Sequence, residues 1–305
     1  MIAARRTRFN AALEHAAAEA RRLQRPLVVL EGLRCGHQWA SPRFHQFVLD
    51  GMRDNAAALA GTGVTYFPYL EPSPGDGRGL LTHLAAQSCL VVTDEFPAFF
   101  LPRMVAAAGR QLPVRLVAVD SNGLLPLRAT DTTYPTAYAF RRMLQQRLPA
   151  HLPDVPLADP LSGDRLLPAP PLASLTTARW QDAFTWLDAT PGGLTTLPLD
   201  HAVGPVPVTG GPAAAQARLD AFIAHALDRY GERSHPDEDV ASGLSPYLHW
   251  GHISVHDVFA RVMAHAGWLG HTPPKATGSR EGWWGVGPAV EGFLDELITW
   301  RELGY

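Results

Sequence analysis

Two short runs concentrate side chains able to do chemistry. The first is Ala241-Ser242-Gly243-Leu244-Ser245-Pro246-Tyr247-Leu248-His249-Trp250-Gly251. Two hydroxyls, a glycine and a helix start fall together, with Ser245-Pro246 as an N-cap followed by proline at the first helical position. Free backbone N–H groups flanked by small hydroxyls form a cradle for phosphate. A helix that is merely well capped satisfies the same pattern, and the residues alone leave both open. The second run is Phe293-Leu294-Asp295-Glu296-Leu297-Ile298-Thr299-Trp300-Arg301-Glu302-Leu303. Glu296 and Trp300 are spaced to share a helical face, with Arg301 one position round. A carboxylate beside an indole accepts hydrogen bonds from a heterocycle while the indole stacks on it. The plainer alternative is an amphipathic helix with a surface Arg–Glu pair. His249, His252 and His256, with Asp257 beside them, also share a helical face, but the run is no HExxH motif and a metal site is not expected.

The elements that hold these runs follow from periodicity. Apolar spacing predicts helices over 9–23, 42–60, 79–87 and 101–109, alternating with short apolar runs at 26–30, 64–67, 89–93 and 114–119. Wholly apolar runs suit strands buried on both faces, and their alternation with helices implies right-handed crossovers in a parallel, Rossmann-like sheet. Asp94 and Asp120 stand at strand ends, where a carboxylate either caps the next helix or faces the ligand crevice of such a sheet. Proline-dense residues 153–171, a short helix over 180–187 and a loose stretch over 191–212 break both periodicities. Beyond them the pattern is purely helical: 213–230, 245 to about 265, and 281–303. The reading is an α/β domain over 1–150, a Pro/Gly-rich linker with a short helix over 151–212, and a helical domain over 213–305.

Composition narrows the function classes. The 305 residues are 46% hydrophobic and 18% charged, with a net charge of −3, so no whole-surface polycation grips nucleic acid here; any DNA contact needs a local patch. Cys35 and Cys89 build neither a disulfide framework nor a four-thiolate zinc site, and a reducing, cytoplasmic compartment is the default. No apolar run reaches the roughly 18 residues of a membrane span, and the start MIAARRTRFN lacks a signal peptide's apolar stretch.

The run SGLSPYLHWG together with FLDELITWREL resembles the DNA photolyase/cryptochrome family, most closely the class II cyclobutane pyrimidine dimer photolyases. The likeness extends to RRTRFNAALEHAAAEARRLQRPLVVL and VVTDEFPAFFLPR, in order along nearly the whole chain. It implies an α/β domain, able to hold an antenna pigment of deazaflavin or folate type, joined to a helical domain that holds FAD. By resemblance, Ser242, Gly243, Leu244 and Ser245 hold the flavin diphosphate, Tyr230 touches the same phosphates, and Arg301 and Phe293 contact the cofactor. Glu296 hydrogen-bonds the pyrimidine dimer and Trp300 stacks on the lesion. Ala241 stands where the family often has threonine, which removes one hydroxyl from the cradle. The implied reaction is a light-driven transfer of an electron from reduced FAD to a flipped-out dimer in UV-damaged DNA, returned after the ring opens. A monomer is expected. Two alternatives stay open: a cryptochrome-like flavin photoreceptor without repair, and a nucleotide-binding α/β protein with an unrelated helical appendage.

The resemblance also bears on the ends. The α/β pattern opens on a helix with no strand to feed it, whereas family members place a strand there, in the middle of the sheet. The sequence stops at Gly304-Tyr305, after the Trp-Arg-Glu motif, while the family continues well beyond. The expectation is a fragment, started late and stopped early, that binds FAD poorly alone.

Overall fold

The computed structural model describes residues 1–271 and 275–305. The first half alternates as expected: α1 (Ala11–Leu23), β1 (Val28–Leu33), α2 (Pro42–Leu59), β2 (Thr65–Leu70), α3 (Leu80–Ala85), β3 (Leu90–Glu95), α4 (Leu101–Gln111) and β4 (Arg115–Asp120). Caps set the entries. Asn10 accepts the Leu13 N–H at the start of α1, and Ser41 accepts that of Phe44 at the start of α2, where Pro42 takes the first turn.

The strands do not form the single sheet read from the sequence. β1 pairs with β2 and β3 with β4, both in parallel, and the two ladders are separate. The first residues of the chain bridge them. The Met1 ammonium donates to the Leu30 carbonyl of β1 at 2.7 Å, and the N–H groups of Ile2, Ala3 and Ala4 all point at Asp94 Oδ2 of β3. No ladder forms across this junction because a single carboxylate takes the three donors. Asp94 therefore caps no helix, and neither does Asp120, which accepts from the Asn122 and Leu127 N–H groups.

Beside β1 lies a buried polar centre. Glu31, with no exposed surface, accepts from Arg5 Nη1 (3.0 Å), Asn55 Nδ2 (2.9 Å) and the Tyr66 hydroxyl (2.7 Å). Each donor comes from a different element, so one carboxylate ties the chain start, α2 and β2 to β1.

The stretch 151–212 is a packed strap, with α6 (Leu172–Leu175) and α7 (Ala183–Ala189) along it. Leu166, Trp180, Ala183 and Leu197 are buried, Trp180 Nε1 donates to the Asp76 carbonyl, and Arg21 donates to carbonyls of Leu161, Ser162 and Asp164. Prolines removed its periodicity without removing its contacts.

Sequence periodicity missed α5 (Ala137–His151) altogether; it packs Phe140, Leu144 and Leu148 into the core of the helical half. That core thus begins ahead of residue 150, the boundary read from the sequence. It continues through α8 (Pro212–His225) and a 3-10 turn (Leu227–Glu232) to α9 (Ser245–His249) and α10 (Val255–His265). The single helix expected from 245 to about 265 is broken after α9. Gly251 takes φ +70 with the Ala3 carbonyl packed where a β-carbon would stand, and Ser254 then caps α10. The last helix begins at Pro288, not 281, because Gly282, Gly285 and Gly287 all hold positive φ ahead of it. It runs as α11 (Pro288–Leu294), a π-helical segment (Asp295–Trp300) and α12 (Arg301–Leu303). Glu302 fastens this end to the α/β half: its buried carboxylate accepts from the Leu124 (2.7 Å) and Leu125 (3.2 Å) N–H groups beyond β4. Among the described residues, no helix is long and apolar enough to cross a membrane.

Candidate functional site

The 241–245 loop is shaped by an arginine that sequence reasoning passed over. Arg218, on α8, donates from Nε to the Ser242 carbonyl (2.7 Å) and from Nη2 to the Ala241 carbonyl (2.8 Å). Gly243 holds φ +64, and a β-carbon there would lie 2.5 Å from Arg218 Nε. The left-handed backbone favours glycine here, and a β-carbon would have to displace the guanidinium that holds the loop. Ser242 Oγ accepts the Leu244 N–H at 3.3 Å, and Leu244 is fully buried, pinning the loop to the helical core. The N–H groups of Gly243 and Ser245 meet no acceptor among the described residues. Because α9 is only 5 residues long, its dipole is small. An anion at this loop meets unpaired N–H groups and the Arg218 charge instead.

A second group gathers beside it. Tyr230 presents its ring edge-on to Phe293 (5.2 Å between centroids) and to Phe222 (5.7 Å). Arg233 lies over the Tyr230 ring at 4.6 Å and donates from Nη2 to Glu296 Oε1 at 2.9 Å. Burial pushes the Tyr230 hydroxyl up, with the Arg233 charge opposing and that of Glu296 adding. Glu296 keeps 43% of its side chain exposed, so the carboxylate is held by Arg233 and still open to a ligand. Trp300 is 49% exposed at the end of the π-helical segment. A π turn departs from regular helical spacing and recurs at functional sites; here it carries both Glu296 and Trp300.

The structure thus brings Tyr230, Leu244 and Phe293 into one core, with Ser242, Gly243 and Ser245 on the adjoining loop and Glu296 on the rim. Arg301 turns elsewhere. Its guanidinium lies over Tyr305 at 5.4 Å, its buried Nε has no hydrogen-bond partner, and it lines a crevice with His249 and Gly251 at the far end of α9 and Asn122 beyond β4. Arg218 and Arg233 are the side chains at this candidate site that sequence reasoning missed. The one trace was an arginine three residues after Tyr230.

The histidines of the 249–256 run go to separate neighbours. His249 packs on Phe99 and Trp250, His252 stacks on Phe47 and accepts the Gly211 N–H, and burial pushes His256 down to about 4. Among the described residues, no three metal-ligating side chains converge.

No family model matches the chain. It is 27% identical over 305 residues to the deoxyribodipyrimidine photo-lyase of Methanothermobacter thermautotrophicus, covering 99% of this chain and 59% of that protein. It is 28% identical over 219 residues to the protein of the same name from Potorous tridactylus, covering 70% of this chain and 35% of that one. The chain therefore spans 59% or less of these relatives' lengths. Among solved structures, a class III photolyase from Agrobacterium tumefaciens superposes with a TM-score of 0.62 at 17% identity, covering 98% of this chain and 55% of that one. A Synechocystis cryptochrome superposes with a TM-score of 0.60 at 13% identity, covering 98% and 58%. These last two share the fold: an α/β half followed by a helical half. In sequence and in fold the chain is thus similar to members of the photolyase/cryptochrome family.

Proposed function

We propose that the chain serves light-driven repair of cyclobutane pyrimidine dimers in DNA, in the manner of the class II photolyases, with FAD as its cofactor. The observation that carries the reading is the meeting of the Leu244 loop, Tyr230 and the Phe293–Glu296 turn at one corner of the helical half. The residues there fit a flavin dinucleotide. Gly243 holds the loop in its left-handed turn, the Gly243 and Ser245 N–H groups are unpaired among the described residues, and the Arg218 guanidinium supplies positive charge. When bound and reduced, FAD supplies a photoexcitable electron donor, and the electron's return leaves no net redox change.

The chain's own residues do the rest. Ser242 to Ser245 hold the diphosphate, and Tyr230 and Phe293 wall the cofactor. Glu296 accepts a hydrogen bond from the flipped pyrimidine, and Arg233 fixes its carboxylate, so the acceptor is oriented before the base arrives. Trp300 offers an exposed ring on which the lesion stacks.

The test supplies FAD in excess, under reducing conditions, to the 305-residue chain, with a dimer-containing oligonucleotide under blue light. Loss of dimers, lowered in Glu296→Gln, supports the reading. Flavin retained with dimers untouched favours the second reading, a photoreceptor without repair, which the cryptochrome fold match supports. Neither flavin nor repair overturns both.

A further inference from the structure

A row of aromatic rings crosses the boundary between the two halves at the carboxyl ends of the strands. From Phe44 at the start of α2 it passes to Trp250 (5.6 Å between centroids), His249 (5.2 Å), Phe99 (6.0 Å), Phe96 (6.2 Å) and Tyr305 (5.7 Å). His37 and Phe100 pair at 5.5 Å, and Trp39 stands in the same loop as His37. Trp39, Phe44, Phe99 and Phe100 are all exposed, Trp39 and Phe99 by 65% and 68%. Phe99 also holds φ +60, a left-handed backbone that a β-carbon disfavours, with no burial of its ring to offset it. Four large rings left in water along and beside this row, whose Trp250, Phe96 and Tyr305 are partly buried, mark an interaction surface.

The charges select the partner. Arg43 adjoins Phe44, Arg103 follows Phe100 by about one helical turn, and Arg301 lies over Tyr305. None of the three is paired with a carboxylate among the described residues; Arg43 Nε donates only to the Gly204 carbonyl. Acids along this edge are already engaged: Asp94 by the chain start, Glu95 by Arg128 through two bonds of 2.6 Å, Asp120 by the Leu127 N–H and Glu302 by the Leu124 N–H. A second copy of the chain meeting this face about a two-fold axis would set arginines against arginines. The surface therefore suits an anion that also carries flat faces.

We propose that this row is a platform for single-stranded nucleic acid. Unpaired bases stack on Trp39, Phe44, Phe99 and Phe100, while Arg43, Arg103 and Arg301 meet the phosphates. Such stacking tolerates any base, because each has a π face, and it excludes a duplex, whose faces are already covered. The proposal does not rest on the repair reading: of the side chains the family resemblance assigns a role, only Arg301 takes part.

The experiment is fluorescence anisotropy of a labelled oligothymidylate of about 12 nucleotides against the whole chain, with a duplex of equal length as comparison. The variants Trp39→Ala and Phe99→Ala replace exposed rings, and circular dichroism checks that each remains folded. The expected result is preference for the single strand, an affinity that falls about 5-fold to about 100-fold in each variant, and weakening with added salt. Equal affinity in wild type and variants overturns the proposal, as does equal or tighter binding of the duplex. A wild-type dimer that Trp39→Ala converts to monomer also overturns it, by showing that a second copy covers the rings.

Discussion

The two half-sheets begin from similar sequence and end in different environments. Leu27-Val28-Val29-Leu30 and Leu90-Val91-Val92 are both apolar runs, and each opens a parallel ladder. β1 and β2 are clothed on both faces. Val29, Leu33, Phe67, Tyr69 and Leu70 are buried, packed by α1, α2, α3 and the strap that carries Trp180. β3 and β4 bury only Asp94, and α4 buries no residue. Hydrophobicity of a strand is thus permission for burial; the layers that arrive on each side decide it. The second half-sheet is held more by polar clamps: Asp94 on the chain start and Glu302 on the loop beyond β4.

The largest expected effect lies in the first half-sheet. Glu31→Ala leaves Arg5 buried and without its carboxylate, and chemical denaturation should show a loss of about 3–5 kcal/mol. Phe67→Ala, which empties a fully buried site on β2, should cost about 3–5 kcal/mol by the same measurement. If either variant unfolds no more easily than wild type, the first half-sheet is not the stable one.

Much of this architecture was legible in the sequence. The four strands were visible because short apolar runs between helices have few other readings. Where tertiary contacts decide, the reading failed. α5 carries Arg141, Arg142, Arg147 and an internal Pro149, so its apolar stripe was obscured. The break at Gly251 depends on the Ala3 carbonyl, far away in the chain. At the site, the runs around Ser242 and Glu296 stood out because their residue types cluster locally. Arg218 and Arg233 did not, because their partners, the Ser242 carbonyl and Glu296, become neighbours only on folding.

The clamp at Glu302 gives the comparison a pH dependence. Burial raises this carboxyl from 4.5 to about 7, against the lowering effect of the Leu125 and Leu124 N–H donors. Between those values the folded chain holds a proton that the unfolded chain has released. The stability contributed by this proton is full below 4.5 and is lost as pH rises through about 7. Urea midpoints across this window should fall with pH from this group, and Glu302→Gln should flatten the slope. An unchanged slope would remove Glu302 as the clamp. The smallest effect is expected from Val92→Ala in β3, about 1 kcal/mol or less, because its side chain is only partly buried. A loss as large as that of Phe67→Ala would erase the contrast between the half-sheets.

The π-helical turn at Asp295–Trp300 sets a phase for everything after it. It behaves like one extra letter in a reading frame. Winding the same residues as an ordinary helix would rotate the following side chains by about 100°. Phe293, before the turn, would keep its place against Tyr230 and Phe222. Glu302 would swing off the Leu124 and Leu125 amides, and Arg301 would leave Tyr305. One added residue thus couples the aim of Glu296 and Trp300 to the seam that joins the two halves, so the spacing along this helix is as much a determinant as the side chains on it.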